Sequence, residues 1–310
     1  MLSRGLVGCL ALVVLIMTIS NAAAQDEARG TVELARFESA TLGRDYEYHV
    51  YLPAGYADTD LRYPVIYLLH GRGDDLYAWL NGINVLDTLI ASGEIAPIIA
   101  IMPDTPSSDG AGYYIDSEYT GVDFPAEPVE TAFFEDLVPH VDATYRTLAT
   151  REGRAVGGYS MGGAGAVRYV LAHPDRFIGG IILSPAVYVP LPPVDSSTWL
   201  LGAFGVGEAL FDEAQYTRLN YPALFEPFAA TELAVSLFIA VGDDEWKNPT
   251  EEDRLHDLDM EAHLLYNLAR RVPRLLAEFR VYDGGHDWEV WRPGFDEGLR
   301  YLNRFLEPPA

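Results

Sequence analysis

The chain has 310 residues, 49% of them hydrophobic, with 21 basic against 46 acidic residues, a formal net charge of −25 and one cysteine. Such a composition excludes a disordered chain, a collagen-like repeat and a small disulfide-stapled scaffold. The charge excludes polyanionic partners: nucleic acid or an anionic bilayer is held by Lys and Arg, and a surface whose single lysine is Lys247 repels both.

Arg4, the apolar run Leu6 to Ile19 and the small residues Ala22-Ala23-Ala24 read as a secretory signal peptide over residues 1–24. The apolar run is shorter than the roughly 20 residues a spanning helix needs. Cleavage after Ala24 is therefore expected to leave no stable membrane anchor and a secreted or periplasmic chain. Cys9 lies inside this leader, so the chain from Gln25 onward contains no cysteine. Residues 25–310 carry no fixed-period repeat and no low-complexity linker, which is the pattern of one domain.

Strands are predicted over Tyr46–Leu52, Pro64–Leu69, Pro97–Met102, Arg154–Tyr159, Ile178–Leu183, Val235–Val241 and Glu278–Tyr282. Helices are predicted near Leu76–Ala91, Thr131–Tyr145, Gly163–Ala172, Met260–Arg271 and Phe295–Leu306. Several of the strands are apolar on both faces, as strands covered by helices on both sides of a sheet must be. Alternating strands and helices imply a doubly wound, mostly parallel α/β sheet. The stretch 186–234, rich in proline and aromatics, breaks this rhythm and reads as an insertion before the strand at Val235, with a substrate-shaping cap as its expected role.

The chemistry-bearing residues fall at the C-terminal ends of these strands, where open α/β sheets bind their ligands. Gly158-Tyr159-Ser160-Met161-Gly162 joins a strand to a helix, the context of a nucleophile elbow, in which small flanking residues permit a tight turn that lifts the serine hydroxyl above the sheet. His70-Gly71-Arg72-Gly73 forms a turn whose Arg72 N–H, with that of Met161, can face a developing oxyanion. Gly242-Asp243-Asp244-Glu245 supplies an acidic cluster and Asp283-Gly284-Gly285-His286 a histidine. The chain order serine, acid, histidine is that of the α/β-hydrolase triad. In that arrangement His286 takes the Ser160 proton as general base, and the acid fixes the imidazole tautomer and stabilises the imidazolium.

These motifs, with Pro64 to Gly71, Gly112-Tyr113-Tyr114, Gly284 to Trp288 and Val290 to Gly294, resemble an esterase family of α/β-hydrolases from about Tyr46 to Leu306. That family includes feruloyl esterases, S-formylglutathione hydrolases, enterochelin esterases and mycolyltransferases, and the resemblance is closest to secreted feruloyl-type esterases. It implies the α/β-hydrolase fold, Ser160 as nucleophile, His286 as base, Arg72 and Met161 as oxyanion donors, and no cofactor. Relatives resemble Gly-x-x-Asp at the acid; the matching position is Glu245, with Asp244 as the alternative and Asp243 a third. The implied substrate is a small-molecule or carbohydrate-linked carboxylic ester, cleaved through an acyl-enzyme. Transfer of the acyl group to a sugar hydroxyl and a non-catalytic binding role on the same fold are the competing readings. Trp79, Tyr114, Trp199 and Trp288 are the candidate lining of an aromatic substrate pocket. No metal is expected: His256 and His263 stand seven apart, not the four that aligns two ligands on a helix.

Overall fold

The computed structural model describes residues 29–105, 112–124 and 126–310, so the expected leader lies outside the described residues. Among the described residues ten strands run in chain order: β1 (Thr31–Ser39), β2 (Arg44–Leu52), β3 (Val65–Leu69), β4 (Ile99–Pro103), β5 (Glu118–Tyr119), β6 (Arg154–Tyr159), β7 (Gly179–Leu183), β8 (Val206–Gly207), β9 (Val235–Gly242) and β10 (Leu275–Tyr282). Eight of them form one sheet in the order β1-β2-β4-β3-β6-β7-β9-β10, and β5 and β8 form a small separate pair. The pairings from β4 to β10 are all parallel, while β1 with β2 and β2 with β4 are antiparallel.

Every residue of β3, β4, β6, β7 and β9 is buried. Side chains alternate across a strand, so Val65, Tyr67 and Leu69 enter the core on one face and Ile66 and Leu68 the core on the other. The first core is completed by α4 (Met161–Ala172) and α7 (Leu258–Ala269), the second by α1 (Ile83–Ala91) and α8 (Trp288–Leu302). Between α1 and α4 lie α2 (Val129–Ala132) and α3 (Val138–Thr144), joined by a π-type turn over Phe133–Leu137; α5 (Glu213–Leu219) and α6 (Tyr221–Ala230) precede α7. Burial of each large side chain in these layers contributes about 1.5–3 kcal/mol. Among the described residues no helix is long and apolar enough to cross a membrane.

Four elements depart from the sequence expectation. β1 is an edge strand that leaves Val32 and Leu34 exposed, so its pattern carries little burial signal. α8 begins at Trp288, seven residues before Phe295, because Pro293 and Gly294 lie inside the helix. Gly294 is there for contact: a Cβ would come within 2.9 Å of Leu183 and 3.1 Å of Ala240. Within 186–234, α5 and α6 were not expected, since α6 contains Pro222 and Pro227; Pro222 sits in its first turn, where a missing N–H costs nothing. Tyr188, Phe204, Tyr216, Tyr221 and Phe228 of this stretch join the same core as α4 and α7.

The stretch is also tied down by a buried acid on α7. Glu261 is 1% exposed; its Oε1 accepts from the Val189 N–H at 3.0 Å and from His256 Nδ1 at 2.6 Å. Its Oε2 has no hydrogen-bond partner among the described residues. Burial pushes its pKa from 4.5 up to about 7, against the partial opposition of His256 and the Val189 N–H. The folded state thus holds this proton more tightly than the unfolded chain does. The corresponding stability is fully present below the unfolded value and is lost as pH rises through about 7. Urea unfolding of wild type and Glu261→Gln should therefore diverge between about pH 5 and about pH 8, the wild type losing of order 1–3 kcal/mol relative to the variant. Parallel curves would show that Glu261 is not the source of the change.

Candidate active site

The strand order reverses at β3: the chain leaves it for β4 on one side and returns to β6 on the other. The crevice beyond the C-terminal ends of β3 and β6 is the topological switch point of the sheet. The pairing of Leu69 with Gly158 sets the two following turns side by side.

Ser160 occupies the turn from β6 into α4 with φ 55° and ψ −121°. A non-glycine residue in such a conformation stores of order 1–3 kcal/mol and persists only where its surroundings over-determine it. Here its N–H donates to the Leu183 carbonyl at 2.9 Å, and its own carbonyl accepts from Ala164 N at 3.1 Å and Ala186 N at 3.0 Å. Gly162 makes the turn possible, since a Cβ there would fall 2.1 Å from the Leu69 carbonyl oxygen and 2.7 Å from that of His70. α4 therefore starts directly against the end of β3, and the N–H of Met161, its first residue, has no acceptor within the helix.

The facing turn is held by His70, which is buried. Its Nε2 accepts from the Thr105 N–H at 3.0 Å, leaving the Nδ1 hydrogen to reach the Gly71 carbonyl at 2.8 Å. Tyr159 Oη donates to Asp74 Oδ2 at 2.6 Å, tying the far end of this turn to the residue before Ser160. Arg72, the other expected oxyanion donor, lies between these two anchors.

Of the three acidic candidates, Glu245 is the one brought to His286. Its carboxylate is 4% exposed; Oε2 accepts from His286 Nδ1 at 2.6 Å, and Oε1 accepts from Ser184 Oγ at 2.5 Å and Gly242 N at 3.0 Å. Asp244 instead turns to solvent and pairs with Lys247 at 3.3 Å, and Asp243 accepts from Gly284 N at 3.1 Å. With Nδ1 engaged, Nε2 is the ring nitrogen of His286 that remains for proton transfer. Ser184, the residue after β7, was not singled out in the sequence; a polar residue directly following a wholly apolar strand is the signal that marks it.

The expected aromatic lining needs correction. Trp79 is 1% exposed and packs inside the core against Tyr159, Trp288 and Phe295, with ring centroids at 5.5, 5.4 and 5.0 Å. Tyr114 is likewise buried, its hydroxyl donating to the His70 carbonyl at 3.0 Å, so it supports the turn from behind. Position in or beside a site loop does not distinguish a core aromatic from a lining one. Trp199 is partly exposed, its ring centroid 4.0 Å from that of Phe211 and its N–H on the Pro193 carbonyl. Trp288 is partly exposed on the outer side of Trp79, and Trp246, next to Glu245, is 64% exposed.

A strained serine at the switch point and a buried glutamate paired with a partly exposed histidine beyond β9 and β10 define the chain as an α/β-hydrolase. Residues 39–302 match the family described as “Putative esterase”, and the chain belongs to it. Members of that family are serine hydrolases acting on ester bonds. Among curated proteins, the chain is 32% identical over 174 residues to an endo-1,4-beta-xylanase/feruloyl esterase of Xylanibacter ruminicola, covering 54% of this chain and 23% of that protein. It is 34% identical over 145 residues to an esterase of Mycobacterium tuberculosis, covering 46% and 29%. The match spans less than a third of the length of these two relatives. A solved ferulic acid esterase superposes with a TM-score of 0.71 at 26% identity, covering 90% of this chain and 99% of that one.

The contact of Gly162 with the β3 carbonyls generates a prediction. Gly162→Ala should lower the unfolding midpoint by more than about 5 °C and abolish turnover, because rigid backbone cannot yield to the added methyl. Calorimetry together with ester turnover checks this, and a variant of unchanged stability and activity would contradict the close approach.

Proposed function

We propose that the chain is an exported serine carboxylesterase that hydrolyses feruloyl or acetyl esters of carbohydrates through an acyl-enzyme, without a metal or cofactor. The observation that carries this reading is the 2.6 Å contact of His286 Nδ1 with the buried Glu245, on the same end of the sheet as the strained Ser160. His286 Nε2 takes the Ser160 proton as Oγ attacks the ester carbonyl carbon. The carbonyl oxygen becomes an oxyanion, stabilised by the N–H groups of Arg72 and Met161. Collapse of the tetrahedral intermediate breaks the bond to the alcohol, which leaves with the proton from Nε2. Water then attacks the acyl-enzyme, gives its proton to the same nitrogen, and releases the free acid while Ser160 regains its hydrogen. Glu245 keeps the imidazole tautomer throughout and balances the imidazolium.

The choice of substrate rests on the named activities of the similar proteins, and an aromatic acyl group suits the partly exposed rings of Trp199 and Trp288. Export rests on the leader pattern of residues 1–24, whose removal would leave Gln25 as the first residue, which the intact mass of the exported protein reads directly.

Hydrolysis of p-nitrophenyl acetate and methyl ferulate, with product analysis for free acid, tests the activity. Ser160→Ala should lose turnover by several orders of magnitude, and a fluorophosphonate should label Ser160 in the wild type. Glu245→Gln should lose about 10³- to 10⁴-fold in kcat through the wrong tautomer, whereas Asp244→Asn should stay within about twofold. A folded wild type that is inert and unlabelled would overturn the proposal. Comparable losses in both acid variants would overturn the assignment of Glu245.

A further inference from the structure

Glu245 differs from a solvent-facing carboxylate in that both of its oxygens are engaged inside the protein, and only Oε2 meets His286. A glutamate has three side-chain torsions to fix, and one hydrogen bond to a histidine ring does not fix them. The second oxygen is held by Ser184, a fully buried residue in the left-handed region at φ 40°. Its N–H donates to the Ala240 carbonyl at 2.7 Å, which clamps the residue between β7 and β9.

The Ser184 hydroxyl has a second neighbour, Trp291 Nε1, at 3.0 Å. An indole N–H can only donate, so it occupies a lone pair of Oγ and leaves the single hydroxyl hydrogen for the carboxylate. The sequence of donors is thereby forced to run Trp291 to Ser184 to Glu245. Gly242 N–H and His286 Nδ1–H complete a set of three donors on the two oxygens, the set that an ionised carboxylate accepts. The same indole lies edge-on to the His286 ring, centroids 5.1 Å apart at 88°, and stacks on Tyr159, the residue before Ser160, at 4.2 Å and 22°. One side chain thus touches the base, reaches the acid through one hydroxyl and packs on the strand that carries the serine.

We infer that Ser184 and Trp291 are positioning residues that hold Glu245 against His286, Trp291 acting by orienting the Ser184 hydroxyl. The inference rests on the proposed triad and assigns to neither residue a contact with substrate.

The test compares Ser184→Ala, Trp291→Phe and the double variant in steady-state ester hydrolysis across pH, with thermal unfolding of each and Ser160→Ala as reference. A hydrogen bond to a charged group is worth about 10- to 100-fold. Ser184→Ala should lose that much in kcat with KM within about twofold. Trp291→Phe keeps a ring beside His286 but frees the hydroxyl, and should lose about tenfold. In both, the acid limb of the kcat/KM profile should move to lower pH, because the imidazolium loses part of its anionic partner. The double variant should be no slower than Ser184→Ala, since both changes act through one hydroxyl. Should Ser184→Ala fail to fold, Trp291→Phe and Ser184→Cys decide by the same two readouts. Folded variants with unchanged kcat and an unmoved acid limb would reduce both residues to packing and overturn the inference, as would fully multiplicative losses in the double variant. An active Ser160→Ala would instead overturn the reading of the site on which the inference rests.

Discussion

The molecule depends on one close approach, that of the start of α4 to the end of β3. Gly162 lies so near the Leu69 carbonyl that no side chain fits between them. This approach is itself dictated by the parallel register of β3 and β6, whose pairing of Leu69 with Gly158 lets both strands end at the same level. From that level the chain has two residues in which to raise a serine on one side and three in which to present a backbone N–H on the other. The strain at Ser160 is tolerable because the buried strands around it cannot move to relieve it.

Much of this architecture was legible in the sequence, for a physical reason. A strand covered on both faces must be apolar on both, so β3, β4, β6, β7 and β9 announce themselves as short uninterrupted apolar runs. Edge strand β1 has no such obligation, and its alternation of Val32 and Leu34 with charged residues gave no hint of pairing with β2. The helices of the insertion were hidden by their prolines, and the start of α8 by Pro293 and Gly294. Sequence reasoning treats these residues as breakers, whereas the fold uses Pro222 where an N–H is redundant and Gly294 where a methyl would not fit.

At the site, position along the chain was informative and direction was not. Ser160, His286 and the acidic loop could be placed at strand ends, yet three consecutive acids, Asp243, Asp244 and Glu245, differ in role only by which one turns inward. That choice depends on Ser184, a donor from a distant part of the chain that joins the nearby Gly242 N–H on the carboxylate, and so is not written in the spacing of the motif. The same limit explains Trp79 and Tyr114, whose neighbours Tyr159, Phe295 and His70 come from three separate elements.

The site is divided between the middle and the edge of the sheet, and its parts are therefore not equally protected against local opening. The serine and its facing turn belong to the central strands β3 and β6, whereas the acid follows β9 and the base follows β10, the outermost strand. Among the described residues β10 pairs with β9 alone, so the base is carried by a strand with a neighbour on one side only. A locally opened molecule in which that strand has come away would keep the elbow on β6 but leave its hydroxyl without the base. Nucleophilic reactivity would therefore be an early loss if the β9–β10 edge frays.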